Sequence, residues 1–122
     1  MTLLNMQKAD IGLEWVRVCS RQDLVAHSGV VALWQGVQIA LFHVPGQGED
    51  KVYAVQNRDP RSGANVIGRG LIGTLAGRLV VTAPLYKQHF DLEQGICVEA
   101  PEQRLQVWAA RLNGDDVEVR AR

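Results

Sequence analysis

Two proline-containing loops carry the side chains of this sequence that could do chemistry together. The first loop, residues 57–65, contains Asp59 and Arg61, and the second loop, residues 83–88, contains Ala83 and Tyr86. A carboxylate, a guanidinium and a phenol can form charge-assisted hydrogen bonds with one another or with a partner. They make a poor cation site, because a guanidinium cannot be deprotonated, an alanine donates nothing and a neutral phenol is a weak ligand. The four residue types therefore favour hydrogen bonding or docking over metal binding.

The cysteines and histidines lie outside these loops and lack the spacing of a metal site. Cys19 and Cys97 are far apart in the sequence, and no Cys-x-x-Cys motif or neighbouring histidine completes a ligand set. We interpret both as reduced, buried, small apolar side chains, with a disulfide between them as the alternative. The histidines are interpreted as surface or core-edge residues rather than ligands: His27, His43 and His89.

Short valine-rich runs broken by glycine turns predict an all-β sandwich or barrel that positions both loops. Residues 14–20 are the expected first strand, and one helical turn over residues 22–26 should follow, capped by Ser20. Residues 30–44 are predicted to form two strands joined at a Gln-Gly turn. Because both faces of this hairpin are apolar, we expect it to lie centrally in the sheets rather than at an edge.

The remaining pattern predicts that each loop directly follows a strand. Further strands are expected at residues 51–57, 71–75, 79–82, 89–92, 96–98, 104–112 and 117–120. The last two should be joined through Asn113 and Gly114, a strong hairpin signal. No repeat or linker interrupts the sequence, so we expect a single domain over residues 1–122, with a core of about 14–120 and a loose tail at 1–10.

From about residue 14 to residue 120 the sequence resembles the Rieske domain. In that superfamily one loop supplies Cys-x-His and the other supplies Cys-x-x-His, so that two thiolates hold one iron and two imidazoles hold the other. Here the first loop has Asp59 and Arg61 in those positions, and the second has Ala83 and Tyr86. Within the superfamily, the segments ALWQGVQIALF, NRDPRSGANVIGRGLIG and APLYKQHFDLEQGICVE resemble the small subunit of assimilatory NAD(P)H-dependent nitrite reductase. Members of that family likewise lack the four ligands.

The resemblance implies a Rieske-like antiparallel β-sandwich or partial barrel with a smaller loop subdomain and at most one short helical turn. It also implies a non-catalytic subunit with no metal and no cofactor of its own. Its partner would be a large subunit that carries FAD, an iron–sulfur cluster and siroheme and reduces nitrite to ammonia in nitrate assimilation. The alternatives are a Rieske-type ferredoxin that carries electrons and, from a third class, a β-barrel nucleic-acid module.

Composition bears on the class of partner. The 122 residues are 47% hydrophobic, and 13 basic residues balance 13 acidic ones. This neutrality weighs against a nucleic-acid or membrane-surface binder. No run reaches the ~20 apolar residues of a membrane span, and the first residues lack the apolar core of a signal peptide. We therefore expect a cytoplasmic protein with no nucleic-acid or membrane partner.

The charges are nonetheless polarised along the sequence. Residues 58–87 contain five basic side chains and one acidic one, whereas residues 88–102 contain four acidic side chains and no lysine or arginine. We expect a basic loop end to dock on the large subunit, because charge complementarity sets orientation and association rate. The docking residues would be Arg58, Arg61, Tyr86 and Lys87. The alternative is that these are solvated loop charges.

A cluster cross-links the two loops of a Rieske domain, so a domain without one needs another connection. We expect Asp59, Arg61 and Tyr86 to supply part of it through hydrogen bonds. The alternative is that Arg61 points into solvent, where an exposed ion pair contributes only about 0–1 kcal/mol.

Overall fold

A computed structural model describes residues 14–122 of the chain. The strands in that range are β1 (Val16–Ser20), β2 (Gly29–Trp34), β3 (Val37–Val44), β4 (Lys51–Gln56), β5 (Leu71–Leu75), β6 (Arg78–Thr82), β7 (His89–Asp91), β8 (Val107–Asn113) and β9 (Asp116–Ala121). Short 3₁₀ turns cover Arg21–Asp23 and Ile67–Arg69. The predicted tail at residues 1–10 lies outside the described residues.

The strands form two antiparallel sheets. The larger sheet has the order β1-β9-β8-β4-β3-β2, and the smaller has the order β5-β6-β7. The first loop leaves β4, and the second loop connects β6 to β7, so each loop begins where a strand ends. This confirms the prediction of an all-β antiparallel fold with a smaller subdomain around the loops.

Alternation along β3 explains how the small sheet is fixed to the large one. Ile39 and Leu41 point to one face of the large sheet and belong to a cluster with Trp108. Ala40 and Phe42 point to the other face and belong to a cluster with Val81 and Phe90 of the small sheet and with Leu92, which follows it. Phe42 and Phe90 are fully buried, and burial of such a side chain contributes roughly 1.5–3 kcal/mol. This second cluster therefore holds both loops against the large sheet.

The β2–β3 hairpin forms where the sequence predicts it, but its expected central position is wrong. Gln35 and Gly36 make the turn with φ angles of 50° and 79°, the signature of a type I′ turn. β2 nevertheless ends the order of the larger sheet. The apolar residues on its outward face, Val31 and Leu33, are exposed. An apolar pattern on both faces of β2 therefore does not mean that this strand lies between two others.

The first helical turn is shorter than predicted, and a second one was not expected. Ser20 caps the turn at Arg21–Asp23, since its hydroxyl accepts from the Gln22 amide and its own amide donates to the Asp23 carboxylate. The turn therefore covers residues 21–23 instead of 22–26. The second 3₁₀ turn, at Ile67–Arg69, makes the expectation of at most one helical turn wrong. The local sequence does not indicate this turn because it depends on a distant side chain: Asn57 accepts from the Gly68 amide at 2.7 Å.

The final hairpin is predicted correctly except at its turn. Asn113 pairs with Asp116 at the ends of β8 and β9, so the two-residue loop is Gly114-Asp115 rather than Asn113-Gly114. Gly114 has a φ of 61° and occupies the first central position, as in a type II′ turn. Within residues 14–122, no helix is long and apolar enough to cross a membrane.

Candidate functional site

The first loop is closed by hydrogen bonds around Asp59, which is fully buried. The Asp59 amide donates to the Ala64 carbonyl at 2.8 Å, and the Asp59 carbonyl accepts from the Gly63 amide at 2.8 Å. Its carboxylate Oδ1 accepts from the Arg61 amide at 2.9 Å. Gly63 has a φ of 77°, which favours glycine. Asp59 therefore shapes its own loop and makes no hydrogen bond to the second loop.

The second loop is closed by its backbone alone. The Ala83 amide donates to the Gln88 carbonyl at 2.8 Å, and the Lys87 amide donates to the Ala83 carbonyl at 2.9 Å. Lys87 adopts a φ of 58°, an uncommon conformation for a residue with a side chain. Ala83 is fully buried in the cluster that joins the two sheets. The loop thus reverses direction over four exposed or half-buried residues, while both of its ends stay buried.

The loops meet through Arg61 and Tyr86. The Arg61 guanidinium carbon lies 4.4 Å from the centroid of the Tyr86 ring, within the range of a cation–π contact. Tyr86 remains 50% exposed. Of the three residues expected to connect the loops, Arg61 and Tyr86 are therefore in contact, whereas Asp59 is not part of that contact. The alternative in which Arg61 simply points into solvent does not describe this geometry.

Two residues that sequence reasoning did not single out support the first loop. Asn57 is buried, and its side chain accepts from the Gly68 amide and donates to Gln38 Oε1 at 2.9 Å. Gln56 donates to the Arg58 carbonyl at 2.8 Å and accepts from the Gln106 amide at 2.7 Å. The only signal was their position at the end of a predicted strand, where side-chain amides often satisfy loop backbone groups.

A histidine–carboxylate pair lies just beyond the second loop. His89 Nδ1 lies 2.5 Å from Glu99 Oε2, and the His89 amide donates to Glu99 Oε1 at 2.9 Å. Partial burial is the largest influence on the Glu99 carboxyl and raises its pKa, but the hydrogen bonds and charge of His89 together outweigh it, so the pKa lies below its usual value. Cys97 Sγ lies 3.6 Å from Glu99 Oε1. Burial raises the pKa of this thiol, which favours its unreactive protonated form.

The cysteines and the other histidines lie outside the two loops. Both cysteines are free thiols, so the disulfide alternative is wrong. Cys97 is buried as predicted, while Cys19 is only partly buried. His27 is exposed, and His43 is a partly buried residue 3.7 Å from Asp50. None of them belongs to either loop.

The accessible charge at the loops is positive. Arg58, Arg61 and Lys87 are exposed, whereas the single acid of the segment, Asp59, is buried. Arg78 differs from the others because its guanidinium lies 3.7 Å from the Asp91 carboxylate in the following acidic segment. The exposed basic side chains at the loop end are therefore Arg58, Arg61 and Lys87, and Arg78 is not among them.

Comparison with known proteins identifies the family. A model of the family described as "Rieske-like [2Fe-2S] domain" matches residues 14–120. This chain belongs to that family. The Rieske-like fold inferred from the sequence is thereby confirmed.

Individual relatives are more specific. The chain is 36% identical over 107 residues to the "Nitrite reductase (NADH) small subunit" of Salmonella typhimurium, covering 88% of this chain and 97% of the relative. It superimposes on the NMR structure of the Escherichia coli protein NirD with a TM-score of 0.76 and 35% identity, covering 87% of this chain and 94% of that one. It is also 35% identical over 105 residues to part of the "Nitrite reductase [NAD(P)H] large subunit" of Klebsiella oxytoca, a match that covers 86% of this chain and 11% of that polypeptide.

The residues of this chain do not fit the cluster that the family's description implies. A Rieske cluster requires two thiolates and two imidazoles, and the loop resemblance assigns those four positions to Asp59, Arg61, Ala83 and Tyr86. The only good ligand among them, Asp59, is buried: its Oδ1 accepts from the backbone of its own loop, and its Oδ2 has no hydrogen-bond partner among the described residues. Over residues 14–122, no group of three or more His, Cys, Asp or Glu residues is arranged to hold a metal ion. Protein hydrogen bonds and the Arg61–Tyr86 contact occupy the place of the cross-link.

Proposed function

We propose that this chain is a non-catalytic small subunit of NAD(P)H-dependent nitrite reductase with no iron–sulfur cluster of its own. One observation carries the proposal: the two loops that would hold a cluster are closed by protein hydrogen bonds around Asp59 and Ala83. Relatives that match over 97% of their own length are named nitrite reductase (NADH) small subunits, and this supports nitrite reductase as the enzyme to which the chain contributes.

The partner in this proposal is the large subunit of the same enzyme. The match to a segment of the Klebsiella large subunit supports this partner, because there a unit similar to this chain is joined covalently to the rest of the large subunit. The FAD, iron–sulfur cluster and siroheme of the large subunit carry the reduction of nitrite to ammonia, which serves nitrate assimilation in the cytoplasm. This chain binds and supports that subunit.

The basic loop end is the proposed docking surface, formed by Arg58, Arg61, Tyr86 and Lys87. Its side chains are exposed and no accessible carboxylate lies in the same loops. Tyrosine and arginine are enriched among the residues that contribute most of the binding energy at protein interfaces. Long-range attraction from such a surface raises the association rate and falls with salt.

Co-purification tests the proposal. The chain is produced with an affinity tag together with the large subunit encoded in the same genome, and the complex is analysed by size-exclusion chromatography and visible spectroscopy. We expect a stoichiometric complex whose flavin and siroheme absorption stays with the large subunit after separation, leaving this chain colourless. Failure of the two proteins to associate would contradict the proposal, and a brown, separately purified chain would favour the electron-carrier alternative.

A further inference from the structure

The outer edge of β2 presents backbone groups that β3 does not use. The type I′ turn at Gln35-Gly36 makes Trp34 and Val37 a hydrogen-bonded pair. Because paired residues of antiparallel strands alternate between hydrogen-bonded and non-hydrogen-bonded positions, the N–H and C=O groups of Val31 and Leu33 point away from β3. Among the described residues, β2 has a hydrogen-bonded strand neighbour on one side only.

The same two residues expose apolar side chains. Val31 is 48% exposed and Leu33 is 70% exposed. They form one side of a groove of about 330 Å³ over the outward face of the larger sheet, whose other lining residues are Gln38 on β3, Asn57, Asn65 and Arg69. The second 3₁₀ turn forms a wall, since a Cβ added to Gly68 would lie 2.9 Å from Val31 Cγ2. β2 (Gly29–Trp34) contains no charged residue and no proline, the devices that normally protect an exposed edge strand from pairing.

The groove is continuous with the proposed docking end. Asn57 and Asn65 begin and end the first loop, and Asn65 forms an antiparallel bridge with Arg58. The one charged residue in the groove lining is the exposed Arg69. An occupant that matches this surface is an extended segment with apolar side chains against Val31 and Leu33 and a carboxylate toward Arg69.

We infer that the free edge of β2 accepts an extended, acid-bearing segment of the large subunit as an additional strand. Strand addition of this kind obtains affinity from main-chain hydrogen bonds and specificity from pockets for alternate side chains. The inference rests on the proposed function and adds a second contact, because the loop end supplies charge while the β2 edge supplies backbone pairing and apolar contact.

Proline substitution separates strand addition from ordinary surface contact. Leu33→Pro removes an outward N–H and leaves the β2–β3 hydrogen bonds in place, as edge strands allow. Thr74→Pro is the matched control: Thr74 is exposed on β5, which ends the smaller sheet, and it pairs with Leu79. The β5–β6 turn at Ala76-Gly77, with φ angles of 52° and 77°, likewise directs the Thr74 N–H away from its neighbouring strand.

The measurement is the Kd for the purified large subunit, with the thermal midpoint of each variant as the check on folding. We expect Leu33→Pro to weaken binding about tenfold or more and Thr74→Pro to bind like the wild type. Wild-type affinity in Leu33→Pro would overturn the inference while leaving the proposed function intact. Absence of binding by the wild-type chain would overturn both.

Amide hydrogen exchange on the wild-type chain gives a test that needs no substitution. The Val31 and Leu33 amides should exchange rapidly in the free chain and become at least about tenfold slower in the complex. Slow exchange in the free chain at low concentration would assign the edge to a segment of the chain itself. Slow exchange that appears only as the free chain self-associates would assign it to a second copy. Either result would overturn the inference.

Discussion

The two loops contain an inner pair of residues, Asp59 and Ala83, and an outer pair, Arg61 and Tyr86, whose surroundings differ. Asp59 and Ala83, which the loop resemblance assigns to the thiolate positions of a Rieske domain, are both fully buried. Arg61 and Tyr86, which the same resemblance assigns to the imidazole positions, are both exposed and contact each other. The inner pair now closes and packs the loops, and the outer pair forms a surface. We therefore expect substitutions of the inner pair to affect stability and substitutions of the outer pair to affect the proposed docking.

Substitution of the inner residue Asp59 should have the largest effect on stability. Asp59→Ala removes the acceptor of the Arg61 amide, and we expect the free energy of unfolding to fall by about 1–3 kcal/mol. Asp59→Asn retains an acceptor oxygen and should lose less. Denaturant unfolding measures both variants. Equal stability of Asp59→Ala and the wild type would mean that the inner position does not hold the loop.

Charge reversal at the outer positions should affect assembly rather than folding. Arg61→Glu combined with Lys87→Glu removes two exposed positive charges and adds two negative ones, so we expect binding to the large subunit to weaken by about tenfold or more and to depend less on salt. Because both side chains are exposed, the free energy of unfolding should fall by no more than about 1 kcal/mol, through loss of the Arg61–Tyr86 contact. Titrations at two salt concentrations provide the measurement. Unchanged affinity would leave the basic residues as solvated loop charges.

The Arg61–Tyr86 contact should contribute a smaller part of the free energy of unfolding. A double-mutant cycle with Arg61→Ala and Tyr86→Ala should give a coupling free energy of about 0.5–1 kcal/mol, as expected for an exposed cation–π pair. Tyr86→Phe keeps the ring and serves as the control, with most of the coupling retained. Additive effects of the two alanine substitutions would show that the outer pair does not connect the loops.

The His89–Glu99 pair should give the smallest effect, and it depends on pH. Because the pKa of the folded Glu99 carboxyl lies below the usual value of 4.5, the pair contributes stability above that value and loses it as pH falls through the lower, folded-state pKa. Unfolding midpoints measured across this acidic range should fall less steeply in Glu99→Gln than in the wild type. Parallel curves would mean that the His89–Glu99 pair does not stabilise the folded protein in this pH range.

Local patterns predicted most of the strands, because valine alternation and glycine turns act over a few residues. The turn at Gln35-Gly36 was placed correctly, whereas the last turn shifted by one residue, because Asn113 remains paired and Gly114 begins a type II′ loop. The turn at Ile67–Arg69 was missed because its stability depends on Asn57, ten residues before it begins. The bounds of a single domain remain a prediction.

The site was predictable in its residues but not in their roles. Sequence spacing identified Asp59, Arg61, Ala83 and Tyr86, since the surrounding loops match a known pattern. It did not distinguish the buried pair from the exposed pair, because burial depends on how the small sheet packs on Phe42 and its neighbours. The exposed edge of β2 was likewise hidden, since an apolar strand has the same pattern whether another strand or a partner covers it.

We propose that the loops of this chain are held together without a cluster. The most direct measurement is iron and acid-labile sulfide in the chain after anaerobic purification and incubation with ferrous iron and sulfide. We expect no protein-bound iron or sulfide after desalting and an unchanged unfolding midpoint. Recovery of about two iron and two sulfide per chain, the stoichiometry of a Rieske cluster, would contradict it.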